Sequence, residues 1–366
     1  MEFKIKTEIF KEALRIVQKG ASVGTATPLL CCVELELREG ILSLKTSNLE
    51  NSVQIRMKPL ESIEEGKVLI NVHYLESFIS KITQEVIEIK AETTETANRL
   101  AIKYGKSRGN LNITGGELPA INTEAEVIAV LEGSKFSQGI NAVAFACAKT
   151  HHRPVFTGIN IIISPDTVEY IASDTFRLAY YKHENSGEKE GNIIIPAKNA
   201  IEIARIFADA KEIVLKTNSK RLIVEGKGIV FTTALLDGEF PNFRGILEEK
   251  GGNVLEVTDE IKNALERVRL LTEQKTKIPY CKVNLTPNTV TISSNSDAIG
   301  EIKEEIATKG EIKEEFIVGY NADYLLQILK KINKGEIKIP GPTSPTIIKD
   351  KVNNLKCILM PTKLAS

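Results

Sequence analysis

The sequence predicts an α+β chain of three homologous domains, near 1–125, 126–250 and 251–366, each built from two strand–helix–antiparallel-strand repeats. Three observations carry this. Pro119 and Pro241 sit in "GGELP" and "DGEFP", Pro361 closes "ILMP", and the three recur at a step of roughly 120 residues. The stretches "LSLKTSNLENSVQI", "VEYIASDTFRLAYY" and "VTISSNSDAIGEIKEE" each read strand, Ser-Asn or Ser-Asp, short tip, strand. Their serines, Ser47, Ser173 and Ser294, keep the same step. Finally, helical patterns start about every 60 residues, near Thr7, His73, Ser134, Pro196, Thr258 and Asn321.

Taken in order, the chain opens on "MEFKIKTEIF", whose alternation of charge and apolarity reads as a first strand. Thr7, Ser134, Thr258 and Asn321 are good N-cap types, and Pro196 suits a first helical turn. The first helix has an apolar stripe of Phe10, Ala13, Leu14 and Val17, with Lys11, Arg15 and Lys19 on another face. In the fourth, Ile201, Ala204 and Ala208 face inward while Lys198 and Arg205 share an outer stripe. The fifth repeats the pattern, with Lys262 and Arg269 beside Ile261, Leu265 and Val268, and the sixth ends Lys330, Lys331, Lys334. Between helices lie β-rich segments such as "EIVLKTNSKRLIVEGKGIVFTTALL", in which "EGKG" at 225–228 reads as a hairpin turn and lacks phosphate-loop spacing.

Hydrophobic content of 42% and charged content of 26% are those of an ordinary soluble chain. No apolar run reaches membrane-span length and no signal peptide opens the chain, so a cytoplasmic location is expected. The five cysteines, Cys31, Cys32, Cys147, Cys281 and Cys357, form no CxxC pair and read as reduced, mostly buried thiols. No metal or cofactor is expected.

Formal net charge is zero, which argues against nucleic-acid binding by raw attraction unless the positive charge is confined to one surface. A single basic stripe is an ordinary solvated helix face; the same stripe on four of six related helices points to a basic lining with an acidic exterior. An enzymatic reading would rest on His151-His152 with Asp174. However, the chain has no HExxH, P-loop or dinucleotide fingerprint, and the histidines before Arg153 read better as a basic loop. No catalytic residue is assigned.

The motifs resemble those of the bacterial DNA polymerase III beta subunit, the sliding-clamp family. "ASDTFRLA" is similar to the family's strand followed by Asp-Gly, a variable residue and Arg-Leu-Ala. "LLDGEFPNFRGIL" resembles its Asp-Gly-x-Phe-Pro-Asp-Tyr/Phe-Arg stretch, and "HRPVFTGINI" its Arg-Pro-Val-Leu-x-Gly segment. "TPLLCCVELEL" and "ILMPTKLAS" resemble its early strand and its end. The resemblance covers all three domains in order.

What the resemblance implies is a non-catalytic processivity factor. Two chains would pair head to tail as a ring around duplex DNA, helices lining the hole and sheets outside. DNA would be held by topology and by sequence-independent phosphate contacts from Lys11, Arg15, Lys149, Lys198, Arg205, Lys262 and Arg269. The polymerase III alpha and delta subunits, and other proteins carrying a clamp-binding peptide, would dock in a pocket between the second and third domains. Carried over by position, its wall is Phe156, Ser173, Thr175, Phe176, Arg177, Leu178, Pro241 and Ile246, with Ser344, Ile358, Met360, Pro361, Thr362, Lys363 and Leu364. Arg177 would either orient the peptide or brace the hairpin. The dimer contact would join Lys103, Lys106, Arg108, Leu111 and Ile113 to Leu270, Leu271, Glu301, Glu304 and Glu305.

The chain departs from the family pattern. Thr175 replaces a turn glycine, Phe176 a common histidine, and Lys363 a terminal arginine. Gly24, Ala197 and Gly245 stand where basic residues are common. These departures bear on partner choice and DNA contact, and leave open a second clamp copy or a clamp-fold scaffold.

Overall fold

The computed structural model describes residues 1–93, 98–120, 124–248, 251–272, 279–296 and 300–363. Among them are six α-helices: α1 (Thr7–Val17), α2 (Val72–Ile79), α3 (Gly133–Val143), α4 (Ala197–Phe207), α5 (Asp259–Leu270) and α6 (Ala322–Leu329). Each follows one strand and precedes three antiparallel ones, so the strand–helix–strands unit occurs six times.

Local chemistry sets the helix starts. The side chains of Asn71, Thr258 and Asn321 each accept a backbone N–H of the first turn, filling donors that have no partner within the helix. Three starts differ from the sequence reading. Ser134 is the second residue of α3, inside the helix and not its cap. Thr7 is the first helical residue, and its hydroxyl donates to the Gln84 carbonyl at 2.5 Å. Pro196 is the last residue of a strand, one step outside α4.

The chain groups into two compact units: residues 1–137 with 198–235, and residues 138–197 with 236–366. In the first unit, an eight-stranded sheet contains the pairing of Asn51–Met57 with Ile229–Ala234 in register Val53↔Phe231. A five-stranded sheet ends on the strand Ser107–Asn112. In the second unit, a nine-stranded sheet contains the pairing of Arg177–Glu184 with Leu355–Leu359 in register Ala179↔Cys357. A four-stranded sheet ends on Gly300–Ala307.

Alternation along the strands fixes which face each sheet turns to its helices. Leu42, Leu44 and Thr46 are fully buried, as are Val168, Tyr170 and Ala172; Val290, Ile292 and Ser294 are buried too. Ser294 therefore takes the place of Thr46 and Ala172, one residue off the serine alignment read from sequence. With a period of two, that slip moves the side chain to the opposite face.

Burial accounts for the thiols. Cys31, Cys32, Cys281 and Cys357 are buried and Cys147 half-buried, and all five are free. Loss of solvation pushes Cys147, Cys281 and Cys357 up to about 12, so they are protonated and unreactive near neutrality. No described helix is long and apolar enough to cross a membrane.

Candidate peptide-binding cleft

Three hairpin tips share one construction. Asn48, Asp174 and Asn218 each accept two backbone N–H groups through Oδ1, from the residues two and three positions on. The residue after each, Leu49, Thr175 and Ser219, has φ of 76°, 75° and 69°. This left-handed conformation costs an L-residue about 1–2 kcal/mol. The two side-chain hydrogen bonds offset that cost, which explains why Thr175 can stand where the clamp pattern has glycine.

The tip at 174–176 differs from the others in leading into a buried arginine, Arg177. Its guanidinium points in three directions. Nε donates to Asp174 Oδ2 at 3.0 Å, Nη1 to Gln327 Oε1 at 2.7 Å, and Nη2 to the Phe145 carbonyl at 2.5 Å. The group also lies 4.0 Å from the ring centre of Tyr324. Each of its three nitrogens donates to protein, and the bond to Gln327 ties the hairpin to α6. Ser173 is committed as well: its hydroxyl donates to the Arg177 carbonyl at 2.8 Å and accepts the Thr175 N–H at 3.1 Å.

Phe176, by contrast, is 59% exposed. The Met360 N–H donates to its carbonyl at 2.9 Å, which brings two exposed apolar side chains together at one edge. Leu178 and Ile358 pair across the neighbouring strands and join Ile171, Phe243 and Ile347 in a buried apolar cluster. Phe156 belongs to a second cluster, with Val155 and Ile194, and Phe240 packs on both. Ile246 is exposed on a short turn, Pro241 and Ser344 are half-buried, and the Thr362 N–H donates to the Gly319 carbonyl beside Pro361 and exposed Lys363. Leu364 lies outside the described residues.

The basic helix positions are less uniform than their spacing implies. Lys11 is largely covered and bonds Glu8 at 2.7 Å, and Lys262 donates to the Ile332 carbonyl at 3.0 Å. Arg15 and Arg205 are exposed, with Glu12 and Glu202 at 3.9 and 3.8 Å, and Arg269 pairs with Asp323. Lys149 and Lys198 are exposed. Acidic neighbours thus offset much of the charge.

Of the residues expected at the dimer contact, Arg108 and Leu111 lie on one end strand and Glu301, Glu304 and Glu305 on the other; Lys103 is on the neighbouring strand, Ile113 just past the first end strand, and Leu270 and Leu271 at the end of α5. Arg108 and Arg99 both bond Glu92, and the Arg99 hydrogen bond is the main reason its carboxyl lies below the usual range. Arg267 forks onto Glu304 with two 2.8 Å hydrogen bonds and lowers that carboxyl too. Lys103 stands 3.9 Å from Glu88, Lys106 is exposed in the turn, and Glu305 bonds Lys303. Leu111, Ile113 and Leu271 are half-buried, while Leu270 and Glu301 are exposed.

His151 and His152 stack on each other with ring centres 4.2 Å apart, and His151 packs on Phe156. Asp174 is held by Arg177 and the tip N–H groups, and no group of three metal-binding side chains occurs among the described residues.

The chain resembles known proteins over its whole length. It is 27% identical over 365 residues to the beta sliding clamp of Staphylococcus epidermidis, covering 96% of each chain, and 24% identical to that of Bacillus subtilis. Among solved structures, DNA polymerase III beta subunits from Thermotoga maritima and Pseudomonas aeruginosa superpose with TM-scores of 0.91 and 0.90 at 20% and 22% identity, covering 100% of both chains. The sequence profiles of the N-terminal, central and C-terminal domains of the DNA polymerase III beta subunit match residues 1–121, 130–242 and 246–363. Carrying all three domains in order, this chain belongs to the DNA polymerase III beta subunit family.

Proposed function

We propose that the chain, a non-catalytic DNA sliding clamp by its family, closes head to tail with a second copy around duplex DNA and recruits polymerase subunits and other partners through the cleft beside Phe176. The observation that carries ring closure is a repeating strand junction. Asn51–Met57 pairs with Ile229–Ala234, and the corresponding strands Arg177–Glu184 and Leu355–Leu359 pair in the same way. The third pair of corresponding strands, Gly300–Ala307 and Ser107–Asn112, ends its two sheets unpaired. A second copy satisfies both open edges with the junction already used twice.

The repeat also gives the register. Val53, Ala179 and Ile302 correspond, since they pair with Thr46, Ala172 and Ser294. Phe231 corresponds to Gly109, because Gly226↔Ile229 and Tyr104↔Ser107 close equivalent turns. Ile302 then faces Gly109 of the second copy, Glu305 faces Lys106, and Arg108 lies diagonal to Glu301 and Glu305.

For the hole, the half-neutralised helix faces suit weak phosphate contact, as a protein that must move along DNA requires. The cleft offers exposed Phe176, Ile246 and Met360 beside a buried apolar cluster, which suits a short peptide with leucine or aromatic anchors. A cytoplasmic location belongs to this reading. Retention on DNA tests it: loaded protein should stay on nicked circular duplex and run off the linear form. Equal loss from both would leave a scaffold that does not enclose DNA.

A further inference from the structure

The first unit repeats the frame of the cleft. The Ala234 N–H donates to the Glu50 carbonyl at 2.9 Å, as the Met360 N–H does to that of Phe176. The short helical turn Pro28–Cys31 takes the place of Pro154–Thr157, so Leu30 stands for Phe156. The segments that follow are built alike. The Thr114 N–H donates to the Leu69 carbonyl and the Leu236 N–H to that of Ile194. Two residues on, Gly116 and Gly238 have φ of 115° and 113°. Leu118 and Pro119, both half-buried, therefore stand for Phe240 and Pro241.

The floors differ. On the sheet face turned away from the helices, Ser173, Leu178, Ile358 and Ile347 lie side by side on four strands of the second unit. The matching row in the first unit is Ser47, Ser52, Thr232 and Ile223. Burial is alike: Ser52 and Leu178 are each 7% exposed, and Thr232 and Ile358 are 0% and 2%. Hydrogen bonding is not. Ser173 bonds within its own tip. The Ser47 and Thr232 hydroxyls are buried with no hydrogen-bond partner. Folded proteins pair nearly all such groups, because an unpaired buried hydroxyl has lost water and gained nothing. Here two stand in one row, one on each side of Ser52.

We propose that this row is the floor of a second peptide site, which takes a Gln or Asn side chain where the cleft takes leucine or an aromatic ring. The occupant follows from the groups on the row. A hydroxyl both donates and accepts, and so does a primary amide. An amide head above Ser52 therefore serves both sides, its carbonyl accepting from one hydroxyl and its NH2 donating to the other. Ser47 and Thr232 are two strand spacings apart, about 9–10 Å, which admits the head and its two hydrogen bonds. The methylenes of a glutamine lie against Leu30 and Leu118, and exposed Leu49 adds apolar surface at the tip. A carboxylate is a poorer occupant. Lys45, two residues before Ser47, stands opposite Glu34, Glu50 is exposed on the tip, and burying a charge costs more than burying an amide. An apolar anchor leaves both hydroxyls unpaired. The frame of this site rests on the cleft reading above.

The test uses the full chain, isotope-labelled for NMR, and three five-residue peptides that differ only in a central Gln, Leu or Glu between leucines. Each is titrated while the cleft is saturated with a Gln- and Leu-containing clamp-binding peptide. The Gln peptide should shift the Leu49 and Thr232 amides and bind about tenfold tighter than the other two. Ser47→Ala/Thr232→Val should bring that ratio to near one and leave the affinity of the clamp-binding peptide unchanged. The same double variant should unfold in urea at no lower a concentration than the unaltered chain, since it removes hydroxyls that have no partner. A lower midpoint would show the hydroxyls to be paired within the fold, and overturns the proposal. No binding, equal affinities for the three peptides, or a ratio that survives the double variant also overturns it. So does displacement of the Gln peptide by the clamp-binding peptide, which would put both in the cleft. If the clamp-binding peptide fails to bind and the Gln peptide keeps its preference, the cleft reading falls and this site stands.

Discussion

Arg177→Ala removes the brace between the hairpin tip and α6, and its cost can be worked from the contacts. Asp174 and Arg177 are buried together at 3.0 Å. Taking one partner from a buried ion pair typically costs about 3–5 kcal/mol, because the remaining charge is left without compensation. Asp174 keeps two backbone N–H donors, which pulls toward the lower end. Gln327 and the Phe145 carbonyl lose their donors as well, and the contact over Tyr324 adds about 0.5–2 kcal/mol, which pulls the other way. We expect a loss near the middle, about 4 kcal/mol, large against the 5–15 kcal/mol of a typical domain. The chain has no tryptophan, so urea unfolding is monitored by tyrosine fluorescence and far-UV circular dichroism. Arg177→Lys keeps the charge but not the planar fork, and should recover only part of the loss. Peptide affinity should fall with the brace, since the Phe176 backbone is held by the same tip. A loss under about 1 kcal/mol, the range of ordinary surface substitutions, would refute the brace.

Phe176→Ala should weaken a Gln- and Leu-containing clamp-binding peptide by about 1–3 kcal/mol. Met360→Ala should act on the same edge, and calorimetric titration of the double variant should show less than the summed effect; unchanged affinity in both single variants would remove the cleft assignment. Lys106→Glu with Arg108→Glu should shift sedimentation toward monomer, more at low salt than high, and Glu305→Lys in the same chain should restore the dimer; an unchanged dimer in the charge-reversed chain and in Leu271→Ala would exclude this contact. Replacing Arg15, Lys149, Lys198, Arg205 and Arg269 with Ala should flatten the salt dependence of DNA binding by about one unit per lost contact, with secondary structure intact; lost helical signal would show the stripe to be structural.

The features legible in the sequence are those set by local chemistry. Asn and Asp tips, N-caps at Thr258 and Asn321, the Lys227-Gly228 turn with φ of 54° and 73°, and alternating apolarity each act within a few residues. Repeated, they make the period of three domains visible. The tertiary structure decided what depends on chain segments far apart. Nothing near Arg177 in sequence announces Gln327, 150 residues on, so the tie from the hairpin to α6 waited on packing. Lys11 and Lys262 share the spacing of exposed cations, yet their neighbours cover them, because burial depends on what packs above a helix face. The serine marker slipped by one residue in the third repeat, since sequence similarity carries no record of which face a strand turns inward. The strand junctions at 51–57 with 229–234 and 177–184 with 355–359 likewise arise from edge pairing, a backbone interaction that leaves no side-chain motif.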